Sequence, residues 1–593
     1  MKKILVTLLA ALCCTMAFAI PARRGFTTYL QPDGTKISLQ LHGDEFCHWL
    51  TDARGQVYEQ AADGFFRPVD TNTLDQRITV GDRKRAAANA GRRRQLAQSS
   101  TPIAVGQKHF LVILVQFKGE TFKSSTANQD FTNLLNQEGY SVSGGTGSAR
   151  DFYYQNSHGY FEPIFDVYGP VTLDNNVSYY GGNDYSGNDQ RPEQAVIEGC
   201  KKLDAEIDFS QYDHDGDGFV DMVFMYYNGR GEADGGSANT IWPHQWNIYS
   251  SAGQTVVLDG VKLDSYACSN EIVSYGALSG QMCGIGTVCH EFGHAMGLPD
   301  FYDTDYYYYN GEAGGLYDYS TMCGGSYNHD GRTPPYFNIE ERIMLGWLPS
   351  SIIQEFPKSG TYTLTSISDN VAYKTPTDMD GEYFLYECRS KTGWDAYIPE
   401  AGLIVYHVDK SSGRTIQIYG YYGNISVTPY ALWADWATYN SINENGSHPC
   451  FYVVPAGAQT NLNYSGNQFA FPGAAKMYTY TAKSWNNVNS EISLSDINYA
   501  DNQVTLYATV PYAGLDYNTI ANPGNGSYRS GDKFTLALEE AEEHPVRAVS
   551  WYFDDEPVSG TSITLPAGSH TIEAYLTLED GTTQIVTLQI TVG

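Results

Sequence analysis

Histidine, glutamate and aspartate gather between Cys289 and Asp305, in CHEFGHAMGLPDFYDTD. His290 and His294 are four residues apart, so on a helix both imidazoles leave one face a single turn apart, close enough to hold one metal ion. Glu291 sits between them. A carboxylate beside a two-histidine site is suited to take a proton from metal-activated water as that water attacks a carbonyl. Gly297 and Pro299 should end the helix and turn the chain, which brings back Asp300 as third ligand. Glu341, in NIEERIMLGW, is the alternative third ligand. The competing explanation is a structural helix that carries two ordinary histidines. Against it stand the small apolar CGIGTVC before the motif, suited to a buried helix, and the Gly, Pro and Asp turn after it.

A second group of oxygens lies in DHDGDGFVD, where Asp213, Asp215, Asp217 and Asp221 take the first, third, fifth and ninth positions of a calcium loop. Gly218 stands at the sixth, where the chain must turn sharply. The twelfth position is Phe224 rather than Glu, so the loop is not a complete EF-hand, and a solvated acidic turn is the rival reading. Calcium here would be structural. Asp303 and Asp305 are expected to bind calcium or cap their turn rather than touch the zinc. His244, in IWPHQW, is a rival metal ligand, although its aromatic and proline neighbours favour a packed turn. Met322, in YSTMCGG, suits an apolar floor under metal ligands. Tyr327, just beyond it, is the candidate to stabilise an oxyanion. Cys47 offers an inhibitory thiolate, but one cysteine in a β-hairpin is expected to be packed. Cys283 and Cys289 are near enough in sequence for a local bridge.

These groups need a scaffold. KHFLVILVQF, Lys108 to Phe117, reads as a buried central strand, Ser148 to His158 as a capped helix, Phe165 to Leu173 as a strand and Pro192 to Ile207 as an amphipathic helix. Their alternation implies an α/β layer with the active helix packed under a mixed sheet. Past Trp347 come short β-patterned runs such as TYTLTSI and AGLIVYHVD, which suit a β-sandwich. His407 and Asp409 in that last run read as surface or sheet-end residues. Residues 512–593 hold four further strands with Trp551 as the expected core aromatic, resembling an immunoglobulin-like module for surface or glycan contact, or a spacer.

The start of the chain reads as an address. Lys2 and Lys3, an apolar run and Ala17-Phe18-Ala19 form a signal peptide with cleavage expected after Ala19. Residues 20–100 read as a propeptide ending in the basic, small-residue stretch RKRAAANAGRRRQLAQSS, an open linker suited to proteolysis. The division is therefore 1–19 signal, 20–100 propeptide, 101–349 catalytic domain, 350–511 β-sandwich and 512–593 immunoglobulin-like domain. At 593 residues and a formal charge of -31, the chain does not fit a nucleic-acid or anionic-membrane partner. No later stretch approaches the ~18 apolar residues of a transmembrane segment.

HEFGHAMGLPDFYD with the Met322 turn resembles the metzincin clan, and within it the immune inhibitor A family of secreted bacterial metalloproteases. DHDGDGFVD, IWPHQW and NIEERIMLGWL match that family too, over roughly residues 100–510. The resemblance implies an inactive secreted precursor, one catalytic zinc, structural calcium and endopeptidase activity on protein or peptide substrates. It also implies a zincin-type catalytic domain. Where the long metzincin motif has a third histidine, this chain has Asp300, a hard oxygen donor that still ligates zinc. The alternative reading is a non-catalytic adhesin or glycan-binding protein on a metalloprotease scaffold.

Overall fold

The computed structural model describes residues 17–593 apart from 24, 62, 71, 82, 84–103, 185–186, 277, 306–310, 421–422, 458–467, 512–516 and 523–526. The basic stretch Arg92–Arg94 and most of the expected signal peptide lie outside the described residues. The chain divides into two compact units, Met1–Val510 and Pro511–Gly593. It is mixed α/β, with many sheets and few helices.

The central element of the first unit is a six-stranded mixed sheet. Its strands are β1 (Ala17–Ala19), β2 (Gly106–Gln116), β3 (Phe161–Thr172), β4 (Val223–Arg230), β5 (His244–Asn247) and β6 (Ser265–Ile272), in the order β1-β5-β6-β4-β2-β3. From β6 to β3 neighbouring strands run parallel, whereas β5 runs antiparallel to β6 and β1 antiparallel to β5. The two-residue period of β2 sends Phe110, Val112 and Leu114 into one core and Leu111, Ile113 and Val115 into the other. Both faces are therefore covered, which is why this strand is apolar without alternation.

Helix α1 (Ala149–Asn156) starts at Ser148, whose hydroxyl accepts from Asp151 N–H while the Asp151 carboxylate takes Ser148 N–H, a capping box. Helix α2 (Pro192–Leu203) begins at a proline and covers one sheet face with Ala195, Val196 and Cys200. Helix α3 (Gly286–Met296) covers the other with Val288, Cys289 and Phe292. Phe292 meets Phe110 edge-on at 4.6 Å and Tyr153 at 5.4 Å, and the Tyr153 hydroxyl donates to the Cys289 carbonyl at 2.8 Å. Burying a phenylalanine this fully contributes about 3 kcal/mol, enough to fix which side of α3 faces away from the sheet.

Residues 26–68 form a five-stranded antiparallel sheet of their own. Cys47 is buried there with Trp49, Val57 and Ile78, so it packs rather than reaching a metal. Beyond residue 350, a five-stranded sheet containing Glu382–Arg389 and Gly402–Asp409 faces a four-stranded one containing Asn489–Ala500 and Gln503–Thr509. Phe384, Leu403, Leu494 and Leu506 belong to one core there. His407 and Asp409 are not surface residues. All eight residues of Gly402–Asp409 are buried, and His407 bridges Tyr452 and Glu382 while Asp409 holds His448. The alternation misled because both faces of this strand are covered.

Pro511–Gly593 carries a five-stranded sheet around Phe534, Ile572, Ala574 and Leu576. Trp551 is only partly buried against that core. The glycan contact expected of this region draws no support from its described residues. Among the described residues no helix is long and apolar enough to cross a membrane.

Candidate active site

Helix α3 turns His290, Glu291 and His294 away from the aromatic cluster, and all three are fully buried. It ends at Gly297, whose φ of 114° closes the helix by donating to the Gly293 and His294 carbonyls. That turn frees the chain to double back. The His290 and His294 Nε2 atoms lie 3.2 Å apart, and Asp300 Oδ1 lies 3.3 Å from each. Three donors on a tetrahedral ion at bond lengths of ~2.0–2.1 Å are about 3.3–3.4 Å apart, so the triangle has the dimensions of a zinc site. This is one of two groups among the described residues that can hold a metal ion.

The tautomers are set from behind. His290 Nδ1 donates to the Thr321 carbonyl and His294 Nδ1 to the Leu298 carbonyl, both at 2.8 Å. With those protons spent on carbonyls, the Nε2 lone pairs face inward, as metal ligands require. Asp300 Oδ1 then has no hydrogen-bond donor, although the carboxylate is buried. Its other oxygen accepts from Asn440 Nδ2 at 2.8 Å, and the Asn440 side-chain oxygen takes Asp300 N–H at 2.9 Å. Two inward ring nitrogens and a buried carboxylate oxygen at these separations suit a bound cation. Burial opposes ionisation of Asp300, yet His294 and His290, when a proton rather than a cation sits between them and Oδ1, hold its carboxyl well below the usual range.

Met322 is fully buried beneath this helix, where a Cβ added at Gly293 would meet its sulfur at 2.6 Å. Only glycine lets the methionine turn approach so closely. The same turn supplies the Thr321 carbonyl to His290. Glu341 is not brought to the histidines. It caps helix α4 (Ile339–Met344), taking Asn338 N–H at 2.7 Å and the Ser320 hydroxyl at 2.5 Å. His244 is likewise committed elsewhere, to the Trp242 carbonyl and the Tyr266 hydroxyl, and burial pushes its pKa down to about 4. Cys283 and Cys289 are not bridged. Asp303 closes its own turn, accepting from Asp305 N–H and Ala313 N–H.

Glu291 has a partner that nothing in the motif announces. Its Oε1 accepts the backbone N–H of Ile20 at 2.9 Å, while Oε2 has no hydrogen-bond partner. Burial pushes its carboxyl up to about 8; Asp300 adds to the rise, whereas His290 and the Ile20 N–H oppose it. A cation at the histidines would pull it back down. Residues 17–23 cross the cleft here. Ala17, Phe18 and Ala19 pair with Trp246, Gln245 and His244 on β5. Beyond Glu291, Trp242 Nε1 donates to the Ile20 carbonyl at 3.2 Å and Tyr327 OH to the Pro21 carbonyl at 2.8 Å. Tyr327 thus meets the carbonyl one residue past Ile20. A cavity of about 730 Å³ adjoins this segment, lined by Pro21, Arg23, Tyr302, Tyr317, Asp318 and Tyr327 among others.

In the acidic loop, the carboxylates of Asp213, Asp215 and Asp217 come together, and Gly218 takes a φ of 85°. Asp221 turns away to His214 Nδ1 at 2.6 Å. The loop's own N–H groups already serve these oxygens: Gly216 and Gly218 donate to Asp213, and Phe219 to Asp217.

Residues 108–341 match the family described as immune inhibitor A peptidase M6, catalytic domain. That stretch resembles the catalytic domain of an M6-family metallopeptidase. The chain is similar to the pre-pro-metalloprotease PrtV of Vibrio cholerae serotype O1 (26% identity over 263 residues, 38% of this chain and 28% of PrtV). It is also similar to immune inhibitor A of Bacillus thuringiensis subsp. alesti (25% over 217 residues, 32% of this chain and 31% of that protein). The matched stretch therefore spans less than a third of either relative. Among solved structures, wild-type OgpA from Akkermansia muciniphila aligns over 83% of this chain and 97% of its own, at 10% identity and a TM-score of 0.22. The matched stretch contains both groups able to hold a metal, and His290, Glu291, His294 and Asp300 all fall inside it.

Proposed function

We propose that this chain is an exported zinc endopeptidase, made as a precursor whose residues 20–23 remain in the substrate cleft. The observation that carries this reading is Glu291, fully buried beside the His290, His294 and Asp300 triangle, with the Ile20 N–H on its carboxylate. Zinc held by those three side chains would supply Lewis acidity, polarising a scissile carbonyl and making water acidic. Glu291 takes the proton from the attacking water and passes it to the leaving amine. With β1 gone, strand β5 would be the sheet edge and would offer its backbone groups to an extended peptide, the pairing now made by Ala17–Ala19. Trp242 and Tyr327 hold carbonyls on the far side of the cut.

A segment bound as a substrate would be excludes substrates. Cleavage of a signal peptide after Ala19 would leave Ile20 as the N-terminus, its ammonium group beside the Glu291 carboxylate. PrtV, named a pre-pro-metalloprotease, agrees with such a precursor. Asp213, Asp215 and Asp217 are read as a structural calcium site, with Asp221 supporting the loop through His214. The adhesin alternative is not favoured, because the His, Glu, His and Asp set is intact.

The test compares the precursor with a form cut at the basic stretch around Arg92–Arg94. The cut form should contain zinc, digest casein and lose activity to a chelator, and the uncut form should be much slower. Equal rates from both forms remove the precursor reading; casein digestion indifferent to zinc removal ends the metal reading.

A further inference from the structure

Residues 20–23 occupy the side of the cleft that would hold the leaving part of a substrate, and their side chains show what the cleft selects there. Ile20 is 1% exposed. It is one wall of a small cavity of about 20 Å³, room for about one water, whose other walls include Asp234, Asn270, Tyr275 and Tyr327.

Three residues on, the chain is tied again by the Arg23 N–H to the Ala233 carbonyl at 3.3 Å. The Arg23 guanidinium lies 4.0 Å from the centre of the Tyr275 ring. Tyr275 is braced edge-on by Tyr327 at 5.8 Å. Asp234 is 9% exposed; one carboxylate oxygen accepts from Ser274 N–H at 3.2 Å and the other has no hydrogen-bond partner. Burial pushes its carboxyl up to about 6, with the Arg230 and Arg23 charges acting against that rise. A buried, half-satisfied carboxylate next to an electron-rich ring suits a cation, and a planar guanidinium stacks on the ring better than an ammonium.

We infer that Tyr275 and Asp234 form a subsite for a basic side chain at the fourth residue after the scissile bond, and that preferred substrates carry arginine at that position. This rests on the endopeptidase reading and names its substrate class. The chain's charge of -31 favours the approach of such peptides.

The test uses the full chain activated by cutting at the basic stretch, with Glu291→Gln as blank. The peptides share one sequence before the cut and isoleucine after it, and differ at the fourth position: Arg, Lys, Gln, Ala or Glu. Mass spectrometry of the products fixes which bond is cut. The expected order of kcat/KM is Arg, then Lys, then Gln and Ala, then Glu, with Arg exceeding Ala by roughly 3- to 30-fold. In Tyr275→Leu and Asp234→Asn the Arg-to-Ala ratio should fall toward one; taken within each variant, that ratio is unaffected by partial misfolding. Zinc-dependent cleavage with no preference among the five, or with Glu preferred, overturns the inference and leaves the endopeptidase reading standing. Absence of cleavage across the panel overturns both.

Discussion

The two candidate metal groups within residues 108–341 differ in a way that explains what each can do. His290, His294 and Asp300 come from one helix and the turn after it, are buried, and have their outer atoms held by Thr321, Leu298 and Asn440. The inner atoms then face one another around a point a cation could occupy. Asp213, Asp215 and Asp217 come from one loop, are partly open to water, and spend much of their hydrogen-bonding capacity on that loop's own N–H groups. Such a loop can stay folded with or without an ion. A site becomes committed to a metal when its second layer of contacts removes every other partner.

That contrast can be broken experimentally. The largest effect expected is from Glu291→Gln, which should leave zinc bound and lower peptide hydrolysis by at least about 10²–10⁴-fold; casein digestion at the unaltered rate would falsify the role given to Glu291. Next is loss of the metal itself: His294→Ala should abolish stoichiometric zinc, read by elemental analysis of the purified protein. Asn440→Ala removes only the support of Asp300 and should weaken zinc binding about 10–100-fold in a competition titration, with the fold intact by circular dichroism. Unchanged affinity would mean that the outer contacts do not set the site. At the acidic loop, Asp213→Asn should lower the melting temperature in calcium by a few degrees and leave kcat unaltered, the opposite pattern to the histidine site.

The smallest effect concerns the grip of residues 26–68 on the catalytic region. His48 pairs with Glu232 at 3.0 Å and stacks on Trp242 at 4.6 Å. Burial works against its charge, but Glu232 and the Asp44 carbonyl more than compensate, leaving its pKa above the ordinary value. A raised pKa stabilises the docked state below about 6.5, and that contribution fades as pH rises through the docked value. Limited proteolysis of the precursor should therefore be faster at pH 8.5 than at pH 6, and His48→Gln should flatten the difference.

Much of this was legible in the chain. The apolar run in β2, the serine cap of α1, the proline start of α2 and the four-residue histidine spacing depend on neighbours within a turn or two, and local physics sufficed. Glu341 could not be judged that way. Sequence spacing let it reach a metal, but Asn338 and Ser320 claim its carboxylate. His407 and Asp409 alternate as surface residues do, and only the second layer over their strand buries them. Ile20 on Glu291 joins residues 271 apart, and no local signal foretells it.

By itself, then, the sequence determined that His290 and His294 share a helical face with Glu291 between them, because a 3.6-residue period needs no knowledge of the rest of the chain. Only the tertiary structure brought Asp300 rather than Glu341 to the two histidines, oriented each imidazole through the Thr321 and Leu298 carbonyls, and placed Ile20 on Glu291. Those choices depend on which polar groups are left without water or partner once distant segments pack, and that is a property of the whole fold.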